Sequence, residues 1–434
     1  MNISISCHCG TARQELTLAT AAGNAPIPLC HCTSCRHMSG LLFTSYLPLD
    51  TSTAAVPRLT GLTSYSSSSC PTSPGKRYFC STCGCHVFRS TETKTKTDGW
   101  SPPEQWEWEW AVATGVTTTS PDLPTSSTPI PSWEHINTDE TNDGGLSIYL
   151  PNSTTPPSPS PYIPSLSSSL SLPASCACNR ITLNISPPSD LSTHPRSNYP
   201  DLLLPYHKTP PSQISNPSDI KWWLRDPSPS AKPPQNDPIN HPSLGPNPFS
   251  NPTQPESTPE QRYKYLAGTC TCASCRQTSG FEIQTWAFIP RTNISIDTNT
   301  NTNISPPPAT TTTTITNEDP KEITTTTTTP LDFSKLPPAF LTSYPSSEAA
   351  VREFCPTCGA TIFWHDIHRP DLIDVSAGLF RCPSGGARAE SFLSWWTGRT
   401  SFSEEVRTGR NGWVADWAQA LVSQLERTLQ QSHG

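Results

Sequence analysis

Three cysteines stand close together in the segment C-H-C-T-S-C, at Cys30, Cys32 and Cys35. Three thiolates from one short segment supply three of the four ligands that zinc usually takes in proteins. Three protein ligands with one open position are typical of catalytic zinc. Because three thiolates bring the charge of a zinc site to about −1, such an ion would accept a soft thiol better than an oxygen ligand. The triplet therefore indicates thiol capture, followed by attack on a small electrophile.

A second triplet at Cys270, Cys272 and Cys275 shows that the cysteines form two series. In each series a C-x-C pair precedes the triplet and a C-x-x-C-G pair follows it. These outer pairs are Cys7 with Cys9 and Cys80 with Cys83 in the first series, and Cys176 with Cys178 and Cys355 with Cys358 in the second. Neighbouring residues repeat as well, since RYFCSTCG at Arg77 returns as REFCPTCG at Arg352. The ordered recurrence indicates a tandem duplication.

The outer pairs of each series have the spacing of a closed metal site. Residues two apart on a strand point to the same side, so Cys7 and Cys9 can present two thiolates to one ion. A C-x-x-C-G turn does the same, because Gly84 or Gly359 can take a left-handed backbone conformation. Two such pairs make a tetrahedron of four thiolates, which is typical of structural zinc.

Two other interpretations of the cysteines stay open. Each C-x-x-C pair could be a redox dithiol, although no βαβ pattern surrounds it. The triplet could also bind purely structural zinc with a histidine as its fourth ligand. His31 and His37 are the nearby candidates, but Thr271 and Gln277 replace them in the second series.

Composition divides the chain of 434 residues into packed and unpacked parts. With 50 prolines and only 33% hydrophobic residues, several stretches cannot bury enough surface to offset the entropy of ordering. We expect a first zinc domain over 1–150 (the first copy), a Pro/Ser-rich linker over 151–172 and a second zinc domain over 173–400 (the second copy). Disordered insertions are expected near 227–259 and 293–330.

Most of the remaining sequence predicts strands. Segments such as YKYLAG, IQTWAFIP and EWEWAVAT are short, rich in β-branched and aromatic residues, and bounded by Gly or Pro. Helical periodicity appears only at the end, where Val414, Trp417, Leu421, Leu425 and Leu429 form one apolar stripe. We therefore expect a mainly β protein with a C-terminal amphipathic helix over 401–434, packed on the second copy.

Charge and hydropathy exclude several classes of function. With 28 basic and 35 acidic residues, the net charge of −7 gives no broad cationic face for nucleic acid. No run of 18 apolar residues predicts a membrane span, and the N-terminal residues do not resemble a signal peptide. We expect a cytoplasmic protein whose cysteines serve metal binding or catalysis rather than disulfides. Its oligomeric state is not predicted.

The ordered cysteine set resembles the glutathione-dependent formaldehyde-activating enzyme family, also called the CENP-V/GFA domain, in both copies. The resemblance covers roughly 3–150 and 173–399, and WAVATG with EHINTDETNDGGLSIYLP resembles the closing segment of the family. In the second copy this closing segment is poorly matched, and Asn179 stands at the place of Gly10.

The resemblance implies an Mss4-like (β-tent) fold with two zinc ions per domain, hence up to four per chain. It implies structural zinc at the four outer cysteines of each copy and catalytic zinc at Cys30, Cys32 and Cys35, and at Cys270, Cys272 and Cys275. The activity it implies is that of a carbon–sulfur lyase which joins glutathione to formaldehyde, with small thiols and aldehydes as substrates.

Arg36 and Arg276 follow the triplets directly, and an arginine can hold a carboxylate through two parallel hydrogen bonds. These two residues are candidates to bind a carboxylate of glutathione, and the alternative is that both are surface arginines. The alternative to an enzyme is a non-catalytic module, stabilised by zinc, that carries glutathione or contacts other proteins.

Overall fold

The computed structural model describes residues 1–19, 25–50, 56–67, 75–94, 106–121, 130–151, 171–198, 216–226, 263–298, 328–382 and 386–431. Most of the secondary structure in these ranges is β, which confirms the expected fold class. The linker at 151–172 and the insertion at 227–259 lie almost entirely outside the described residues. Both ends of the insertion expected at 293–330 are ordered, because Ile294–Asp297 and Thr328–Pro330 are paired strands, and 299–327 lie outside the described residues.

Ten strands and one short helix of the first copy are described. The strands are β1 Asn2–Ile5, β2 Gln14–Thr17, β3 Ile27–Cys30, β4 Thr44–Pro48, β5 Leu62–Ser67, β6 Gly75–Cys80, β7 His86–Lys94, β8 Trp106–Ala113, β9 Thr117–Thr119 and β10 Trp133–Ile136. Helix α1 spans Thr33–Ser39 and carries the last cysteine of the triplet.

The described strands of the second copy follow in nearly the same order. They are β11 Leu172–Ser175, β12 Thr182–Ile185, β13 Leu224–Arg225, β14 Lys264–Cys270, β15 Gln284–Pro290, β16 Ile294–Asp297, β17 Thr328–Pro330, β18 Thr342–Pro345, β19 Ala350–Phe354, β20 Thr361–Asp366, β21 Leu372–Ser376 and β22 Leu393–Trp395. Helix α2, Ala273–Ser279, is the counterpart of α1.

The large sheets of the two copies have matching topologies within the described residues. The first has the order β10-β3-β4-β8-β7-β6-β5, and the second has β14-β15-β21-β20-β19-β18, with β13 and β22 both paired to β14. In each sheet the strand that ends at the first cysteine of the triplet pairs in parallel with a strand from the end of the copy. These pairs are β3 with β10 and β14 with β22. The topology therefore repeats together with the cysteines.

The C-terminal helix corrects two expectations. It spans Trp413–Gln431 (α3) rather than 401–434, and its stripe packs on the first copy instead of the second. Trp413, Trp417 and Leu421 are buried in one cluster with Ile3 and Leu29 of the first copy. Among the described residues, no helix combines the length and the apolar character needed to cross a bilayer.

The two copies pack against each other through reciprocal contacts. The backbone N–H of Gly115 donates to the carbonyl of Gly280 at 2.9 Å, and Gly378 donates to Gly40 at the same distance. A second pair joins His8 to Gln277 and Ala177 to His37. These four contacts thus form two pairs with the roles of the copies exchanged, as in a two-fold symmetric dimer. The ends of α1 and α2 lie at the centre of this interface.

Candidate metal centres

Each copy brings its four outer cysteines together. The sulfur atoms of Cys7, Cys9, Cys80 and Cys83 lie within 4.8 Å of one another, and so do those of Cys176, Cys178, Cys355 and Cys358. Individual sulfur pairs, such as Cys7 with Cys9 and Cys178 with Cys355, are 3.5 Å apart. A tetrahedron with zinc–sulfur bonds of about 2.3 Å has sulfur–sulfur edges of about 3.8 Å. The donor type, the donor number and the spacing all fit zinc.

The crowding of the four sulfurs also fits a bound cation. The neighbouring Cys80 is the largest cause that raises the pKa of the Cys7 thiol, to about 12. Hydrogen bonds with Cys7 and Cys80, and then burial, raise the pKa of the Cys83 thiol still further. A divalent ion at the centre removes this repulsion, because a coordinating thiol is deprotonated.

The two C-x-C turns have one backbone geometry despite different sequences. Gly10 has a φ of 84°, and Asn179 at the same place in the second copy has a φ of 57°. Asparagine tolerates the left-handed region better than most residues do. In both turns a backbone N–H, of Ala12 or Ile181, donates to the sulfur of the first cysteine at 3.4 Å. The missing glycine therefore leaves this cysteine pair intact.

The triplets form two further groups, each with three sulfurs within 4.8 Å of one another. In the first copy Cys30 ends β3, Cys32 precedes α1, and Cys35 lies in the first turn of α1. The sulfur of Cys32 accepts a hydrogen bond from the Cys35 N–H at 3.3 Å, and Cys272 accepts one from Cys275 at 3.2 Å. Three thiols held in this way fit a zinc ion that keeps one position for an outside ligand.

The histidine alternative finds no support among the described residues, because neither triplet group includes a histidine. The Nε2 atom of His31 lies 2.9 Å from Nδ1 of His135, whose Nε2 donates to the carbonyl of Leu150 at 2.7 Å. Burial lowers the pKa of His31, and the neighbouring His135 and Arg36 lower it further. His31 is therefore a neutral residue of the hydrogen-bonded layer behind the triplet.

Two glutamates that sequence reasoning missed hold the start of the triplet helices. The Glu140 carboxylate accepts a hydrogen bond from the N–H of Thr33 at 2.8 Å, and Glu405 accepts one from Ala273 at 3.1 Å. Glu405 belongs to the segment that follows β22, where Ser401 lies beside Cys270. The closing segment of the second copy is thus SFSEEV, the counterpart of INTDET in the first copy. This closing segment, at 401–406, lies past residue 400, where the second zinc domain was expected to end.

Each triplet also has a polar neighbour that donates to one of its sulfurs. The side-chain amide of Asn137 lies 3.4 Å from the sulfur of Cys30. In the second copy the Arg352 guanidinium lies 3.3 Å from the sulfur of Cys275. Burial by itself lowers the pKa of Arg352, but the nearby thiols, Cys275 first, raise it overall. The sequence could have indicated this arginine, because R-Y-F-C at 77–80 recurs as R-E-F-C at 352–355.

A cleft of about 250 Å³ opens beside the second triplet. Cys270 and Cys275 are buried, whereas Cys272 is only half-buried. All three cysteines of the first triplet are buried. The cleft walls include Trp286, Phe288, Arg352, Trp364 and Phe402. An outside ligand can therefore approach the second triplet from this side.

Arg36 and Arg276 lie beside the triplets but point into the protein. The Arg36 guanidinium donates to the carbonyl oxygens of His31 and Glu140, and Arg276 donates to those of Gly115 and Thr408. Both side chains are buried, and burial lowers the pKa of Arg276 to about 10. Their role as glutathione ligands stays a prediction, while these contacts show that they brace the closing segments and the interface.

Comparison with known proteins adds one match. Residues 2–99 match the model of the family described as "Glutathione-dependent formaldehyde-activating enzyme". The matched range contains all seven cysteines that form the two groups of the first copy. No curated protein and no solved structure matches the chain.

Proposed function

We propose that the protein is a zinc-dependent carbon–sulfur lyase, on the premise that residues 2–99 match the model of the glutathione-dependent formaldehyde-activating enzyme family. In the proposed reaction glutathione or a similar thiol adds to a small aldehyde at the three-cysteine centre. The observation that carries the proposal is the triplet itself, with three sulfurs held together and no fourth histidine, cysteine or carboxylate within the group among the described residues.

The residues around each triplet have defined parts in this proposal. Zinc held there would favour the thiolate form of an incoming thiol at neutral pH. Asn137 and Arg352 stabilise the cysteine thiolates by donating to Cys30 and Cys275. Glu140 and Glu405 fix the position of the triplet helices. The thiol sulfur bonds to the carbonyl carbon, and the proton that the thiol loses ends on the carbonyl oxygen.

The test compares zinc content and catalysis in three single variants and one double variant of the full chain. We expect about four zinc ions per chain, with one fewer in Cys32→Ser and in Cys272→Ser. Loss of even an outer-shell partner typically costs about 10- to 100-fold in activity, so a lost ligand should cost at least about 100-fold at its own site. Cys382→Ser is the matched control, because Cys382 lies outside the four cysteine groups.

The rate is measured as exchange between formaldehyde and its glutathione adduct by ¹³C NMR. If the double variant Cys32→Ser, Cys272→Ser catalyses this exchange as fast as the parent protein, the lyase proposal is wrong. A parent protein that binds its zinc but does not accelerate the exchange would instead be the non-catalytic module.

A further inference from the structure

The cleft beside the second triplet has aromatic walls. Trp286 and Phe288 project from β15 and are buried, and Trp364 on β20 and Phe402 after β22 are half-buried. All four line the cleft together with Cys270, Cys272 and Cys275. Flat rings on several sides of a small cleft favour a flat apolar group, since aromatic pairs gain free energy beyond the area they bury.

The first copy has polar residues at two of these positions. Arg77 pairs with Arg89 across β6 and β7, as Arg352 pairs with Trp364 across β19 and β20. The Arg89 guanidinium lies 5.1 Å from the ring centre of Tyr46. Asn137 in the first closing segment corresponds to Phe402 in the second. The two copies thus differ at these two positions, which hold Arg89 and Asn137 in the first copy and Trp364 and Phe402 in the second.

The backbone at Phe402 shows that this difference has a cost. Phe402 has φ and ψ of 58° and 34°, almost the 57° and 38° of Asn137. Asparagine tolerates this left-handed conformation, whereas a bulky aromatic residue is an outlier there. Strained residues of this kind persist at functional sites, where the side chain is needed in that place. Phe402 thus stands at a position whose backbone conformation favours asparagine over phenylalanine.

The charged side chains that line the cleft, Arg352 and Asp374, both have partners. The Arg369 guanidinium lies 2.8 Å from the carboxylate of Asp374, and both side chains are buried. Arg369 also covers the ring of Trp364 at 4.7 Å from its centre. Arg352 donates to the sulfur of Cys275. Because these charged groups already have partners, the aromatic rings are the groups of the cleft left to favour an apolar ligand.

We propose that the second copy binds a thiol carrying a flat aromatic group, with the sulfur at Cys270, Cys272 and Cys275 and the ring between Trp364 and Phe402. This inference rests on the proposed function, because the sulfur of the ligand reaches the three-cysteine centre. It goes further in giving the two copies different substrates, a small polar thiol adduct in the first and an aromatic thiol or its aldehyde adduct in the second.

Calorimetric titration of the zinc-loaded full chain with phenylmethanethiol and with ethanethiol tests the proposal. Cys32→Ser is present throughout, so that the second triplet provides the binding signal. We expect phenylmethanethiol to bind more tightly than ethanethiol. Phe402→Asn is expected to weaken phenylmethanethiol by about three- to tenfold and to leave ethanethiol unchanged. Ile367→Asn, a change from apolar to Asn at an exposed position outside the cleft, should affect neither thiol.

Trp364→Arg changes a second aromatic residue of the cleft to its first-copy counterpart, Arg89. It should also reduce the preference for phenylmethanethiol over ethanethiol. This variant provides the test if Phe402→Asn loses zinc. The proposal is overturned if the parent shows no preference for the aromatic thiol, or if the wall variants weaken both thiols equally. Failure of the lyase proposal is distinguishable, because the binding preference would then persist in a protein without formaldehyde–glutathione exchange.

Discussion

Arg352 is a buried cation in contact with the second triplet, and its effect is electrostatic. Zinc with three cysteine thiolates carries a net charge of about −1, which is costly away from water unless it is compensated. Arg352 is 4% exposed and donates to Cys275 at 3.3 Å, so it supplies the opposite charge at hydrogen-bond distance. It also donates to the hydroxyl of Ser274, which fixes its orientation. Arg352 is therefore a positioning residue for the metal centre.

Removing the charge of Arg352 should weaken zinc binding at one site of the chain. We expect Arg352→Gln to lower the zinc affinity of the second triplet by about 10- to 100-fold, as is usual for outer-shell partners. Competition with a chelator measures this affinity, and Arg352→Lys should restore part of it because the charge returns. Arg291→Gln removes a surface arginine paired with Asp371 and is the control. Unchanged affinity in Arg352→Gln would contradict the assignment.

At the residue scale, the sequence predicted ligands better than it predicted their surroundings. The spacing of Cys30, Cys32 and Cys35 is local, so a strand followed by a helix turn is enough to bring the sulfurs together. Arg36 follows directly, but its side chain leaves the helix toward the closing segment instead of the triplet. Arg352 and Glu405 reach the second triplet from 77 and 132 residues away in sequence. Local spacing contains no signal for such contacts.

The C-terminal helix shows what periodicity can and cannot predict for an element. The 3.6-residue stripe correctly indicated which face of α3 is buried. The stripe gave no information about which copy the helix packs against. The second copy was expected because it directly precedes the helix in sequence. The segment before α3 crosses to the first copy, where Asn411 donates to the carbonyl of Thr118 and Val414 to the hydroxyl of Ser120. These two contacts set the start of the helix on the first copy.

Truncation of the α3 stripe should therefore destabilise the first copy. Leu421 is fully buried in the first-copy cluster, so Leu421→Ala is expected to cost about 2–5 kcal/mol of unfolding free energy. Denaturant unfolding measures the loss, and hydrogen exchange should accelerate first in β1 and β2. Arg427→Ala on the exposed side of α3 should stay within about 0.5 kcal/mol of the parent. Faster exchange confined to the second copy would refute this placement of the helix.

At the scale of the whole molecule, the two copies contact each other through two pairs of glycines, Gly115 with Gly280 and Gly378 with Gly40. A side chain at Gly280 would place its Cβ 2.0 Å from the carbonyl oxygen of His86, and one at Gly40 would meet that of Thr361 at 2.3 Å. Gly84 and Gly359 are similarly covered by phenylalanines of the opposite copy. Close backbone approach at these points lets the triplet helices of both copies end in one interface. We therefore expect the geometry of each metal centre to depend on the other copy.

Gly280→Ala tests this dependence against Gly10→Ala. Both glycines have left-handed φ values, 89° and 84°, so both variants lose about 1 kcal/mol from backbone strain. Only Gly280 meets a neighbouring copy, whereas a Cβ at Gly10 has nothing within 4 Å. We expect Gly280→Ala to destabilise the protein by at least about 2 kcal/mol more than Gly10→Ala, by overpacking against backbone that cannot yield.

Because the displaced backbone belongs to the first copy, Gly280→Ala should also accelerate zinc release from Cys30, Cys32 and Cys35. Chelator-driven release is followed in a Cys272→Ser background and compared with the Cys32→Ser, Cys272→Ser protein, whose release comes from the outer cysteine sites alone. Equal stability of the two glycine variants, with equal release rates, would mean that the copies tolerate separation. In that case each metal centre would be held by its own copy alone.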